Sequence, residues 1–267
     1  MTTAASPAPT LGLTIFNDAR NGNAMLWRSM QIMAALALLC VGLQFVESRM
    51  LNGASVWMKP AKFFFSIAVH LATVSWALML LPQQVRGSRS VSVAVWLLLA
   101  ASWFELLYIT YRAGLGEASH FNVATPLAAI LYNMMAAGAV TMTLVTGYFG
   151  IRIWRNRDGR VITDAASIGL VLSAVLATIV GFYLGGQSSH WVGGELNDAT
   201  GTGFFGWSTT GGDLRVAHFV GLHAAQIVPL AGLSGSRPVV YCSAMAIALA
   251  TAILFATAVM GIPVFRL

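Results

Sequence analysis

The chain has 267 residues, of which 57% are hydrophobic and only 9% charged, with a mean hydropathy of +0.75. A soluble globular domain carries about 25% charged residues, so that class is excluded. The net charge of +6 is spread between apolar runs rather than gathered in one patch, which excludes a nucleic-acid footprint and reads as a topology signal. Cys40 and Cys242 both lie inside apolar runs without a Cys-x-x-Cys spacing, so neither a disulfide frame nor a thiolate metal site is indicated.

Residues 1–28 carry Pro7, Pro9, Asp18, Arg20 and Arg28 and read as a cytoplasmic tail. No small-x-small cleavage site follows the first apolar run, and Ala37-Leu38-Leu39 before Cys40 does not suit a lipoprotein. The first run therefore reads as an uncleaved span. Crossing the hydrocarbon core takes about 20 apolar residues. Seven runs qualify: about 29–47, 62–82, 90–111, 125–153, 164–186, 214–234 and 238–261. Between them stand Lys59-Pro60, Pro82, Gly114 and Gly116, Asp158-Gly159, Gly211-Gly212 and Arg237-Pro238, the residues that interrupt helices. The fold class is thus an all-α polytopic membrane bundle, one domain over 29–261, with a short tail at 262–267.

Orientation follows from Lys and Arg. Nine lie in the N-terminus and the 2–3, 4–5 and 6–7 loops: Arg20, Arg28, Arg86, Arg89, Arg152, Arg155, Arg157, Arg160 and Arg237. Six lie in the other set: Arg49, Lys59, Lys62, Arg112, Arg215 and Arg266. The N-terminus is expected in the cytoplasm and the C-terminus outside, in a bacterial inner membrane. The long loops 48–61, 112–124 and 187–213 then face outward. The last has nine glycines from Gly185 to Gly212, with Trp191, Phe204, Phe205 and Trp207, and suits a lid or an interfacial hairpin.

The polar residues of the spans cluster by depth. His70, Glu105, Asn133 and His223 each fall roughly 9–13 Å below the outer surface at 1.5 Å per residue, with Gln44 and Gln226 near the same layer. Ionisable groups in lipid are costly and usually functional. Above them stands a charged shelf: Lys59 and Lys62, Arg112, Glu117, His120 and Asn122, and Asp213, Arg215 and His218. His218 and His223 are five apart, about 140° around a helix, so they are not the i, i+4 zinc pair of a metalloprotease.

Plainer roles stand beside these. Asn133, Gln44 and Gln226 suit interhelical hydrogen bonds. Lys59 and Lys62 suit interfacial snorkelling. Trp57, Trp103, Trp191 and Trp207 suit an aromatic belt, and Asp213 with Arg215 suits a helix cap.

Two resemblances follow from short strings. Ser119-His120-Phe121-Asn122 with Thr125-Pro126, and Gly212-Asp213-Leu214-Arg215 with His218-Phe219 and Gly221-Leu222-His223-Ala224, resemble a group of uncharacterised bacterial polytopic membrane proteins, over most of the chain from Lys59 to about residue 230. That resemblance implies a membrane protein and no activity. Ser66-x-x-x-His70 resembles the first motif of the ceramidase-like seven-span metal hydrolases. That family pairs it with a late His-x-x-x-His and a middle-span acidic residue. Here the late pair is His218-x-x-x-x-His223, in the sixth span, and Glu105 is the middle-span acid. The seventh span, 238–261, has no lysine to form the Schiff base of a microbial rhodopsin, which counts against that class.

Three functions are compatible with this pattern. The first is a metal- or haem-dependent membrane enzyme or redox protein acting on a lipid-like substrate. His70 and His223 would hold haem b, or with Glu105 a zinc or iron ion. Glu105, His120, Asp213, Arg215 and His218 would be catalytic. The second is a binding or transport protein for an amphipathic or anionic molecule. Lys59, Lys62, Arg112, Asn122, Asn133 and Trp207 would contact it. The third is an accessory subunit of a membrane complex, favoured by small residues in several spans.

Overall fold

The computed structural model describes residues 11–265, with side chains from residue 17 onward. Residues 1–10 of the expected tail, and Arg266 of the orientation count, lie outside the described residues. Seven helices are long and apolar enough to cross a membrane, the architecture of a multi-pass membrane protein. They are α2 (Ala24–Leu43), α3 (Met58–Leu78), α5 (Arg89–Leu115), α6 (Pro126–Arg155), α7 (Val161–Gly185), the broken sixth span α8 (Leu214–Leu222) plus α9 (Ala224–Gly232), and α10 (Arg237–Val259). Two shorter helices, α1 (Leu11–Gly22) and α4 (Gln83–Arg86), complete the helical part.

Local chemistry fixes the ends. Asn23 caps α2, its Oδ1 accepting from the N–H groups of Met25 at 3.0 Å and Leu26 at 3.1 Å. The first span therefore begins at Ala24, ahead of the expected residue 29. Thr125 caps α6 by accepting from the Ala128 N–H at 3.1 Å, with Pro126 in the first turn, where its missing N–H costs nothing.

α3 is the central element. It packs on α1, α2, α5 and α6, while α6 packs on α7 and α7 on α8 and α9. Leu26, Met33, Leu71, Leu78, Leu98 and Phe149 are fully buried in this core. α10 buries only Val240, Thr251 and Ala258. Leu38, Phe45, Leu107, Leu144 and Met245 are well exposed. Exposed apolar side chains on this scale would be an aggregation hazard in water and suit the hydrocarbon of a bilayer.

Two features depart from a plain seven-rod reading. α1 lies where a tail was expected and docks on α3. The sixth span is interrupted at His223, which ends α8 and starts α9. The causes are local. Pro229 sits inside α9 and removes a backbone donor. The Ser173 hydroxyl of α7 donates to the Leu222 carbonyl at 2.7 Å. Gly169 lets α7 approach closely, since a Cβ there would lie 2.7 Å from the Ala224 carbonyl oxygen.

Successive spans alternate direction, so the segments 44–57, 116–125 and 186–213 share one end, called here the loop face. α1, residues 79–88, 156–160 and 233–236 share the other, the basic face.

Candidate functional site

The site lies at the loop face, and its roof is the 186–213 segment. Two short antiparallel pairs organise it. β1 (Met50–Leu51) pairs with β2 (Ala54–Ser55), and β3 (Trp191–Val192) with β4 (Gly212–Asp213). The first hairpin turns at Asn52-Gly53, with φ of 51° and 82°, the left-handed pair that a tight two-residue turn requires. The hairpin meets the roof directly: the Asp198 N–H donates to the Asn52 carbonyl at 2.8 Å.

Arg215, in the first turn of α8, ties the roof down. Its Nη2 donates to Asp198 Oδ1 at 2.9 Å, to Asp213 Oδ2 at 2.7 Å and to the Gly206 carbonyl at 2.7 Å. Its Nε donates to Asp213 Oδ1 at 2.9 Å. Asp213 in turn caps α8 through the Arg215 N–H at 3.0 Å and accepts from the Ser208 N–H at 3.0 Å. Lys62 Nζ donates to the Phe205 carbonyl at 3.0 Å. These groups hold the roof on the bundle, and their charges are largely spent on one another.

Arg112 and Asn122 build the second wall. Arg112 pairs with Glu117 and donates from Nε to the Ala118 carbonyl at 3.3 Å. Asn122 Nδ2 donates to the same carbonyl at 3.0 Å. The loop so fixed presents His120 to α5, where its Nε2 lies 3.6 Å from Glu105 Oε1. Its Nδ1 is 3.1 Å from Ser119 Oγ. The ring contacts Phe63 and Tyr132, with centroids 5.5 and 6.2 Å away. Phe121 follows at φ 57°, rare for a bulky residue, and its ring lies 6.2 Å from that of His190. The His190 ring lies against that of Trp191, with centroids 3.9 Å apart and planes tilted by 41°.

Both loop histidines are held neutral. Burial pushes the His120 pKa well below the usual imidazole value, aided by the positive charge of Lys59 and by His190. Burial, then Arg215, Lys59 and Lys62, push His190 down to about 2.

Lys59 stands among these groups at the start of α3. It is half-buried, and its Nζ is 5.9 Å from the centre of the Phe63 ring. Among the described residues it has no hydrogen bond, and no carboxylate lies within 4.0 Å of its Nζ. Four polar atoms from the segments that meet here are buried without a partner: Trp57 Nε1, Glu105 Oε2, His190 Nε2 and Trp191 Nε1. Each such atom costs about 1–3 kcal/mol when left unsatisfied.

The remaining expected site residues go elsewhere. His70 Nε2 is 3.1 Å from Thr146 Oγ1. The Thr146 hydroxyl donates to the Met142 carbonyl at 2.8 Å, so His70 donates to Thr146 and joins α3 to α6. His223 Nδ1 donates to the Phe219 carbonyl of its own span at 2.8 Å. His218 packs against α7, where a Cβ on Gly181 would lie 3.2 Å from its Cε1, and its Nδ1 is buried without a partner. Asn133 is exposed on α6. Gln226 makes the interhelical bond, donating to Thr73 Oγ1 at 3.0 Å, whereas Gln44 donates to the Cys40 carbonyl of its own helix at 3.4 Å. Trp207 stacks between Phe205 and Phe265 and meets Phe219 edge-on.

His70, Glu105 and His223 therefore do not converge: Glu105 turns to His120, His70 to Thr146 and His223 to its own backbone. Among the described residues no group of three or more His, Cys, Asp or Glu side chains is placed to hold a metal ion.

The sequence pattern did not single out His190 or Asp198 as site residues, nor Trp57 and Trp191 as more than belt residues. Their only signal was position, in or beside long loops where no periodicity fixes direction. Comparison with known proteins gives no matching family model, no matching curated relative and no matching solved structure, so the reading of the site rests on its own geometry.

Proposed function

We propose that this multi-pass membrane protein binds an amphipathic small molecule with an acidic head group at Lys59, beneath the 186–213 roof. One observation carries the reading. Lys59 is half-buried with no hydrogen bond and no carboxylate within 4.0 Å, Glu105 acting on it only from further away, while Arg215, Lys62 and Arg112 are engaged by Asp198 and Asp213, by a carbonyl and by Glu117. Holding an ammonium group partly out of water is costly unless a counter-charge arrives. The unpartnered Trp57, His190 and Trp191 nitrogens supply further possible donors for that head group. The positive-inside bias supports placing this loop-face site on the outer side of a bacterial inner membrane.

A second reading, catalysis on the bound molecule, is favoured by Glu105. Its Oε2 is buried and unpartnered while Oε1 faces His120, the arrangement of a carboxylate with one oxygen free for proton transfer.

The test is thermal unfolding of the detergent-purified protein with a panel of matched amphiphiles: dodecyl phosphate, laurate, dodecylamine and dodecyl maltoside. Acidic members are expected to raise the unfolding midpoint. Lys59→Met is expected to weaken them roughly 10- to 100-fold, the scale of a charge-assisted hydrogen bond. Equal stabilisation by neutral and acidic amphiphiles, or an unaffected Lys59→Met, overturns the proposal.

A further inference from the structure

The basic face, at the other end of the bundle from Lys59 and the 186–213 roof, carries a separate candidate site. Two cavities meet there. The first, about 470 Å³, is lined by Arg20, Asn21, Ala24, Trp27, Arg28 and Gln31. The second, about 490 Å³, is an open cleft lined by Trp27, Ala72, Trp76, Ile162, Leu230 and Leu233, with Thr73 and Gln226 also lining it. They share Trp27, and Ala19 of the cleft precedes Arg20 of the polar cavity. A cationic cup thus opens into an apolar groove.

The docking of α1 creates this junction. Ser75 of α3 donates to the Ala19 carbonyl at 2.6 Å and accepts from the Asn23 N–H at 3.0 Å. The short connection between α1 and α2 then brings Arg20 and Arg28 to one cavity. Both side chains are exposed, and neither forms an ion pair or hydrogen bond among the described residues. Asp18 is the one acidic residue before Glu47, so the local charge stays positive. The polar groups of the cleft, Thr73 and Gln226, satisfy each other, which leaves its wall apolar.

We propose that this junction binds an anionic glycerophospholipid of the surrounding bilayer, with its phosphate between Arg20 and Arg28 and an acyl chain in the Trp27–Trp76–Leu233 cleft. A free phosphate would use the cup and leave the groove empty. A neutral lipid would use the groove and leave two arginines unpaired. Only a molecule with both parts fits both cavities. Arginine is suited to the phosphate because its planar fork donates two parallel hydrogen bonds.

The full-length protein would be reconstituted in vesicles of phosphatidylcholine and phosphatidylglycerol at 3:1, extracted gently, and its retained lipid identified by native mass spectrometry. Phosphatidylglycerol is expected to be enriched over its share in the vesicle, with that preference falling roughly five-fold for each of Arg20→Gln and Arg28→Gln. Ala72→Phe, which fills the cleft, is expected to lower retention of both lipids alike. Raising the salt during extraction is expected to erase the head-group preference of the unmodified protein, a measurement that needs no variant to fold. Equal retention of the two lipids by the unmodified protein, a preference unchanged by salt, or a preference that survives both arginine substitutions would overturn the proposal.

Discussion

Glu105 Oε1 lies 3.6 Å from His120 Nε2, so a carboxylate on a long apolar helix meets an imidazole carried by a short loop. Lys59 adds its charge to the same surroundings, since its field acts on both groups. Glu105 therefore competes with any acidic ligand for Lys59. Glu105→Gln keeps the shape and removes the competing charge. Affinity for an acidic amphiphile is expected to rise on the order of ten-fold, opposite in sign to Lys59→Met. Titration of both variants with dodecyl phosphate, followed by intrinsic tryptophan fluorescence, checks this. A loss of binding in Glu105→Gln would assign the carboxylate a direct ligand contact instead.

The loop histidines give the protein a pH dependence whose sign is fixed. His120 and His190 are both depressed by burial and by nearby positive charge, while an unfolded histidine titrates near 6.5. Above about pH 6.5 both states are neutral and the contribution to stability is complete. As pH falls below that value, the unfolded chain binds protons that the folded chain does not. Stability then drops by at most about 1.4 kcal/mol per pH unit for each histidine. Unfolding midpoints at pH 7.5, 6.5 and 5.5 are expected to be flat over the first interval and to fall over the second. His190→Phe is expected to reduce that fall, and an unchanged pH profile in this variant would remove His190 from the account.

Arg215 joins α8 to two separate points of the roof, at Asp198 and at Gly206. Removing it leaves Asp213, 2% exposed, without its counter-ion. Breaking a buried pair from one side costs about 3–5 kcal/mol. Arg215→Met is expected to lower the unfolding midpoint and to open the 186–213 segment to limited proteolysis. Arg215→Lys is expected to rescue little, because an ammonium group cannot reproduce the spread of contacts made by Nε and Nη2. Asp198→Asn keeps the capping pair with Asp213 and is expected to expose the roof with a smaller loss of stability.

The spans were legible in the sequence, and the level and direction of single polar side chains were not. Seven apolar runs fixed the spans, because a bilayer sets helix length. The rise per residue put His70, Glu105, Asn133 and His223 at similar depths, whereas Glu105 lies against Gly138 of α6 and His70 against Thr146, eight residues and about 12 Å further along that helix. Azimuth depends on which helices pack together, which one sequence does not state. Asn133 consequently lies on the exposed side of α6, and His218 faces Gly181 rather than Glu105. The Asn52-Gly53 dipeptide is a hairpin signal within the 48–61 loop. The break at His223 was foreshadowed by Pro229, but the Ser173 hydroxyl that supports it comes from another span.

α1 is the element least expected from composition, and its docking hangs on one glycine. A Cβ on Gly22 would lie 1.7 Å from the Ser75 carbonyl oxygen and 2.6 Å from its carbon. Those are backbone atoms inside α3, so no side-chain rotation relieves the clash. The same serine hydroxyl bonds Ala19 and Asn23, which ties the end of α1 and the start of α2 to a single point. Gly22→Ala must therefore either push α1 off α3 or bend α3. Overpacking of this kind costs typically about 1–3 kcal/mol, and undocking the short helix is the cheaper course. The expected result is a lowered unfolding midpoint with faster hydrogen exchange in α1 and the α1–α2 junction, while the 186–213 roof keeps its protection. Ser75→Ala removes the hydroxyl without adding bulk and is expected to produce the same exchange pattern in weaker form. Unchanged exchange in α1 for Gly22→Ala would show that the close approach of α1 to α3 does not hold that helix in place.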